Sequence, residues 1–463
     1  MQLLVRDRDF YKTALMIAVP VVAQSIINIS VNLVDTIMLG SLGDVQIAGS
    51  SLGNQFFFIF NVLCLGMGGG AAVMTGQYWG IEDTQSFRKT LALMWRVCVS
   101  FALLFSLLAF TFPRQILSIY TKDPEVIVSG ARYLRILAFA FLFHGLNLTT
   151  IIVLRTARIV RIGLLASLVA FLVKLFFNWV LIFGNLGAPR LEIAGAAITT
   201  VIARICEFSV TFGYLLWFDE RLKVKITDFF RRIDLHIVKQ FIHMAVPVIV
   251  SDGLLTLGNN ALAMIMGRMG TAMVAAHAIT NVTMQLSTVA TQGLSSTSSV
   301  MTSNTVGREE YDKAQAQGYT FLTLSVFIGI FAGIFILVTK PFVLSLYNVT
   351  AETRAVASQL LSVMALIVLF QCVQSVMTKG VLRGGGDTKF LMLADALFLW
   401  VASIPLGYLT GLVWNMPPYI VYFCLYIDFA IKSFWCIFRL RSRKWIRNVR
   451  HIEPQRTTES LAS

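Results

Sequence analysis

The chain has 463 residues, of which 57% are hydrophobic and 13% are charged, and its formal charge is +14. A soluble domain needs roughly 25% charged residues to cover its surface, so this composition excludes an ordinary water-soluble protein. Apolar stretches near the roughly 20 residues that cross a bilayer recur along the whole chain. We therefore predict an all-α integral membrane protein.

Twelve transmembrane helices are predicted from the apolar stretches. We expect them at about 14–38, 48–76, 90–112, 131–153, 162–184, 193–217, 241–266, 274–302, 317–340, 355–381, 390–413 and 418–438. The first helix is long and lacks a small-residue cleavage pattern, so we expect it to be retained rather than removed as a signal peptide.

The positive charge concentrates in the loops on the side of the membrane that holds the N-terminus. The central loop and the tail are both basic. They include Arg221, Lys223, Lys225, Arg231, Arg232 and Lys239 in the loop, and Arg439, Arg441, Arg443, Lys444, Arg447 and Arg450 in the tail. Basic loops mark the cytoplasmic side, so we place both termini in the cytoplasm and the protein in the cell (plasma or inner) membrane. The charge thus predicts topology and contact with anionic lipid headgroups rather than binding to nucleic acid.

An internal repeat divides the chain into two halves. AVP at 18–20 recurs at 245–247, and Leu154-Arg155 recurs as Leu382-Arg383. Six spans separate the copies, so the two halves have the same orientation and are related by a pseudo-twofold axis along the membrane normal. We predict a six-helix lobe at 1–217, a basic linker at 218–240, a second six-helix lobe at 241–438 and a basic tail at 439–463. Transporters that work by alternating access commonly have this organisation.

Four polar residues lie on one face of the first span. Gln24, Asn28, Asn32 and Asp35 follow each other at helical spacing, which indicates a face that lines a hydrated cavity. A carboxylate within a bilayer is costly, so Asp35 is a candidate for binding a proton or Na⁺. The alternative is an Asp that is hydrogen-bonded near the outer end of the helix.

Further polar residues lie in the fifth and sixth spans. Lys174 and Asn178 are four residues apart, and we expect Lys174 to pair with Asp35 unless it extends to the interface. Thr200, Arg204 and Glu207 share one face of the sixth span, where Arg204 and Glu207 can pair locally.

The second half also has polar stripes, which indicate a hydrated central cavity. They comprise Asp252, Thr256 and Asn259; Gln285, Thr288, Gln292, Ser295 and Ser299; and Gln371, Gln374 and Thr378. For Asp428 and Lys432 we favour a structural ion pair. The glycines at 66 and 68–70 are interpreted as close helix packing, since no strand precedes them as in a nucleotide-binding loop.

These features together resemble the multidrug and toxic compound extrusion (MATE) family. The resemblance covers nearly the whole chain and is carried by VDTIMLGSLG at 34–43, NWVLIFGNLGAPRLEIAGAAITT at 178–200, GTAMVAAHAI at 270–279 and VLRGGGDTK at 381–389. It implies a cofactor-free antiporter of two six-helix lobes that exports amphipathic, often cationic organic compounds, driven by H⁺ or Na⁺. Asp35 matches the carboxylate proposed to bind the coupling cation, and Thr200 matches a polar residue of the same cluster.

The chain departs from this family at four positions. Asn178 stands where some members have Asp, and Lys174 where some have Asn, while Leu255 and Gln371 occupy the positions of an acidic pair in the second lobe. Asp252 is a candidate substitute for that pair. A lysine among Na⁺-coordinating oxygens would repel Na⁺, so we favour H⁺ as the coupling ion, with Na⁺ at Asp35 as the alternative.

Two other functions are considered. A flippase for lipids or lipid-linked oligosaccharides shares the architecture, and several arginines in the cavity would favour it. A polytopic enzyme acting on lipids would need clustered acid–base residues, but the five histidines are dispersed and no catalytic residue is assigned. We expect a monomer whose partners are small amphipathic compounds and membrane lipids.

The predicted topology can be tested with reporter fusions. We expect a reporter in the central loop and one at the C-terminus both to report the cytoplasm, because both segments are rich in Lys and Arg. A C-terminal reporter on the outer side would contradict an even number of spans.

Overall fold

A computed structural model describes residues 4–40, 43–347 and 349–451 of the chain. We label its spans α1 to α12. They are α1 Arg8–Leu39, α2 Val45–Gly80, α3 Thr84–Thr111, α4 Pro124–Leu137 with Ala140–Thr156, α5 Arg161–Leu181, α6 Glu192–Phe218, α7 Leu235–Arg268, α8 Thr271–Ser287 with Val289–Gly307, α9 Tyr311–Leu346, α10 Ala351–Leu382, α11 Thr388–Val413 and α12 Pro418–Arg441. Residues 41–42 of the quoted motif and 452–463 of the predicted tail lie outside the described residues.

The predicted multi-pass, all-α architecture is confirmed. Ten of these helices are long and apolar enough to cross a bilayer, and α4 adds an eleventh span with a bend of 57°. The two segments of α8 are too short or too polar to be recognised in this way, because Ser, Thr and Gln recur along them. Pro20 in α1 and Pro247 in α7 occupy equivalent repeat positions inside their helices.

The two lobes, α1–α6 and α7–α12, pack tightly against each other at one end. We call this the inner end; α1 begins there and α2 ends there at Gly80. A Cβ atom on Gly66 would lie 2.7 Å from the Cα atom of Ile249 in α7, and Gly70 packs against Ala245 one turn further. Small residues let helix backbones approach this closely, so the prediction of close packing for the glycine run is confirmed here.

A second contact between the lobes seals the same end. Gly80 packs against the backbone of Asn304 in α8, and Gly307 packs against the backbone of Gln77 in α2. Gly267, near the opposite, outer end of α7, is not packed in this way, since a Cβ atom there would have no neighbour within 4 Å. The close glycine contacts described here between α2 and the second lobe therefore lie towards the inner end.

The chain after α12 lies across the inner end. Trp445 is fully buried, and the Arg447 amide donates to the Gly385 carbonyl oxygen at 2.8 Å. From the other lobe, Gln77 donates to the Arg447 carbonyl oxygen at 3.0 Å and accepts from the Val449 amide at 2.7 Å. The first part of the predicted basic tail is thus an ordered strap that contacts both lobes.

A buried ion cluster holds the second lobe together. Lys432 in α12 lies 3.0 Å from Asp428, as its i,i+4 spacing predicted, and 3.1 Å from Asp395 in α11. Ser403 donates to Asp428 at 2.9 Å, and Ser251 in α7 donates to Asp395. Because all three charged side chains are buried, removing one partner leaves an uncompensated charge in the bilayer.

We expect Lys432→Ala to destabilise the protein by about 3–5 kcal/mol, because two buried carboxylates then lose their cation. Thermal unfolding in detergent would measure the change. Lys313→Ala is the matched control, since Lys313 pairs with Glu310 at an exposed site and its loss should cost less than about 1 kcal/mol. Equal losses in the two variants would contradict a stabilising role for the cluster.

Candidate functional site

Asp35 in α1 meets two polar side chains of α5. Lys174 Nζ donates to Asp35 Oδ2, and Asn178 Nδ2 donates to Asp35 Oδ1 at 2.9 Å. The predicted contact between Asp35 and Lys174 is therefore present, and the i,i+4 spacing of Lys174 and Asn178 places both side chains on one face. The Asp35 side chain keeps 25% of its surface exposed and Lys174 keeps 12%.

This arrangement can hold or release a charge. In the ion-paired state each carboxylate oxygen of Asp35 has a donor, which offsets the cost of its charge within the bilayer. A proton added to Asp35 removes that charge and ends the ionic attraction to Lys174. The contact between α1 and α5 therefore includes an ion pair that depends on the charge of one residue.

The polar residues of α6 form a local arrangement. Arg204 Nη1 lies 2.7 Å from Glu207 Oε2, so the predicted i,i+3 pair is present and Glu207 is buried. The buried Thr200 hydroxyl donates to the Ala196 carbonyl oxygen of its own helix at 2.9 Å. Arg204 and Glu207 thus balance each other's charge beside the Asp35 cluster.

Gln24 does not share the environment of the rest of its predicted stripe. It is buried, donates to Ser167 in α5 at 3.0 Å and accepts from Arg155 in α4 at 2.6 Å, whereas Asn28 and Asn32 are exposed. The face is therefore divided between a buried network at Gln24 and an accessible part further along α1.

Asp252 in α7 is also paired. Arg383 Nη2 in α10 lies 3.1 Å from Asp252 Oδ1, and the two side chains keep 13% and 14% of their surface exposed. This ion pair balances the charge of Asp252, which weakens its candidacy as a substitute for the acidic pair.

The side chains of the remaining polar stripes differ in how far they are exposed. Asn259, Gln285 and Gln292 are exposed, while Gln371 and Gln374 are half-buried. Ser25 in α1 donates to Gln292 in α8 at 3.1 Å, so one of these amides joins the two lobes.

Sequence reasoning did not identify Arg155, Arg383 and Asp395 as members of these clusters. The sequence did single out Arg155 and Arg383, because they are the arginines that recur at a shift of 228 residues in the internal repeat. No pattern within α11 indicated that Asp395 would meet Lys432 of α12, since the contact depends on how the helices pack.

A family sequence model for MatE matches this chain twice, over residues 20–180 and 247–409. The two matches correspond to the two halves of the repeat and together cover more than half of the chain. This result confirms the resemblance drawn from the motifs.

Individual relatives and a solved structure agree with the family match. The probable multidrug resistance protein NorM of Agrobacterium fabrum is 24% identical over 418 residues, which cover 88% of this chain and 87% of that protein. The multidrug resistance protein MdtK of Yersinia pseudotuberculosis is 24% identical over 426 residues, with coverages of 88% and 89%. The MATE transporter VcmN of Vibrio cholerae shares the fold, with a TM-score of 0.86 at 15% identity and coverages of 95% and 98%.

The repeated family match, the twelve spans and the two-lobe fold lead to one assignment. This chain belongs to the MatE family and is a multi-pass membrane transporter rather than an enzyme.

Proposed function

We propose that this protein exports amphipathic, often cationic organic compounds from the cell in exchange for protons. The observation that carries the proposal is the partly exposed Asp35 carboxylate, which Lys174 and Asn178 hold within the membrane. The similarity to proteins named for multidrug resistance supports drugs and related compounds as the substrates.

Alternating access is the proposed mechanism. The packing of α2 against α7 and α8 closes one end, and the distribution of basic residues supports placing that end in the cytoplasm. Exposed amides of α1, α7 and α8 supply a polar surface towards the other end. This arrangement suits an outward-open state, from which the lobes would rock about their contact to open the inner end.

Protons are favoured over Na⁺ because of the charge beside Asp35. The Lys174 ammonium occupies one carboxylate oxygen, and Asn178 presents its amide nitrogen rather than its oxygen to the other. A bound Na⁺ would need oxygen ligands and would be repelled by the ammonium. A proton needs only the carboxylate itself, and its arrival frees Lys174 from the ion pair.

Ethidium efflux from proteoliposomes tests this function. We expect transport when a pH gradient is imposed and none with a Na⁺ gradient alone. Asp35→Asn should reduce efflux to the background of protein-free liposomes, because the amide cannot take up the coupling proton. Asp9→Asn, on the exposed first turn of the same helix, should retain wild-type efflux. Normal efflux by Asp35→Asn would remove Asp35 from the mechanism.

A separate experiment examines Lys174. Lys174→Ala removes the ion-pair partner of Asp35, so we expect it to change the pH dependence of efflux. Lys174→Arg keeps the charge and should remain close to the wild-type profile. If Lys174→Ala also follows the wild-type profile, the ion pair has no part in coupling.

A further inference from the structure

The two repeated arginines, Arg155 and Arg383, make corresponding contacts in the two lobes. Arg155 Nη2 in α4 donates to Gln24 Oε1 in α1 at 2.6 Å, and Arg383 Nη2 in α10 donates to Asp252 Oδ1 in α7 at 3.1 Å. At the repeat shift of 227, Gln24 corresponds to the residue just before Asp252. Each arginine therefore holds the first helix of its own lobe at the same level.

The charge balance differs between these two contacts. Asp252 balances Arg383, whereas Arg155 contacts the neutral Gln24 and, at 3.4 Å, the neutral Ser296 hydroxyl. Among the described residues, no carboxylate lies within 4.0 Å of the Arg155 guanidinium. Three other buried or half-buried cations of the spans contact carboxylates, namely Lys174, Arg204 and Lys432, whereas Arg96 and Lys340 contact neutral oxygens. Arg155, Arg383 and Asp252 together therefore carry one positive charge that no carboxylate balances.

Each arginine has hydrogen-bonding capacity that its present contacts leave unused. Arg383 Nε is buried without a hydrogen-bond partner. Arg155 uses its guanidinium only for neutral acceptors, although guanidinium groups bind carboxylates and phosphates with paired, charge-assisted hydrogen bonds. Both side chains are only half-buried, while the preceding residues Leu154 and Leu382 are fully buried.

The position between the lobes makes these donors relevant to transport. Arg155 reaches Ser296 of α8 in the second lobe, while Arg383 Nη1 would lie 3.1 Å from a Cβ atom on Gly69 of α2 in the first lobe. The arginines therefore cross the lobe boundary in opposite directions. A group bound by both arginines would therefore contact both lobes.

We propose that Arg155 and Arg383 form an anion subsite that binds the carboxylate or phosphate group of a transported amphiphile. This proposal rests on the proposed export function and narrows its substrates to amphiphiles that carry an acidic group, including zwitterions. The unbalanced charge at Arg155 and the free donor at Arg383 are what such a group would satisfy.

Equilibrium binding of two matched dyes tests the subsite without any gradient. Tetramethylrhodamine has a free carboxylate, and tetramethylrhodamine methyl ester has the same rings without it. We expect the purified wild type in phosphatidylcholine nanodiscs to bind the acid at least about tenfold more tightly than the ester, as measured by fluorescence anisotropy.

Two variants should remove this preference in different ways. Arg155→Gln removes the charge, and Gln24→Glu supplies a carboxylate that balances Arg155 within the protein. Both should bring the affinity ratio of acid to ester close to one while leaving ester binding within about twofold of the wild type. Arg161→Gln, at the exposed start of α5, is the control and should keep the wild-type ratio.

The outcomes separate the subsite from the export function. A wild type that binds acid and ester equally overturns the subsite but leaves export of amphipathic cations standing, whereas one that binds neither dye overturns both. An unchanged ratio of acid to ester affinity in Arg155→Gln also overturns the subsite. So does an equal loss of binding for both dyes in Arg155→Gln, if Gln24→Glu keeps the wild-type ratio.

The same chemistry is present on an anionic lipid headgroup. Nanodiscs that contain phosphatidylglycerol distinguish this source, since displacement of the acid dye would assign the subsite to a lipid headgroup. Absence of displacement, with the arginine dependence intact, would assign it to a dissolved amphiphile.

Discussion

The cost of placing a charged side chain in a bilayer determines how several helices of this protein contact each other. A charged side chain at the membrane centre costs at least about 2.5–3.5 kcal/mol unless a partner or a wet cavity replaces bulk water. Basic side chains of the spans contact carboxylates accordingly: Lys174, Arg204, Arg383 and Lys432. Three of these contacts join different helices, so neutralising charge also fixes how α1 meets α5, α7 meets α10 and α11 meets α12. Arg155 instead contacts the neutral Gln24 and Ser296, and it lies at the boundary where the lobes meet.

The repeat gives the two lobes the same helices but different chemistry. In the first lobe an exposed carboxylate on α1 is held by α5, whereas in the second lobe the acidic residue of α11 is sealed in the core with Lys432. A buried, fully paired cluster favours rigidity, while the pair at Asp35 keeps part of its surface exposed. This difference is consistent with the proposed proton coupling in the first lobe and with a structural role for the cluster in the second.

Closure of the inner end depends on backbone contact rather than on charge. Gly70 lets α2 approach α7, and Gly80 and Gly307 let α2 approach α8. Such contacts depend on the close approach of the backbones, so under the proposed alternating access they would separate together. The strap around Trp445 adds hydrogen bonds to the ends of both lobes, so opening this end must break or carry along its contact with Gln77.

Composition and periodicity alone determined that this chain is helical, spans a membrane and repeats after about 227 residues, because hydropathy and register are local properties. Residue spacing also predicted the pairs between Arg204 and Glu207 and between Lys432 and Asp428, since residues three or four apart share a helix face. The contact of Asp35 with Lys174 was anticipated from the need for a counter-charge. Only the tertiary structure decided that Asp395 joins Lys432, that Arg383 neutralises Asp252 and that Arg155 keeps neutral partners, because each of these contacts depends on the rotation and depth at which separate helices pack.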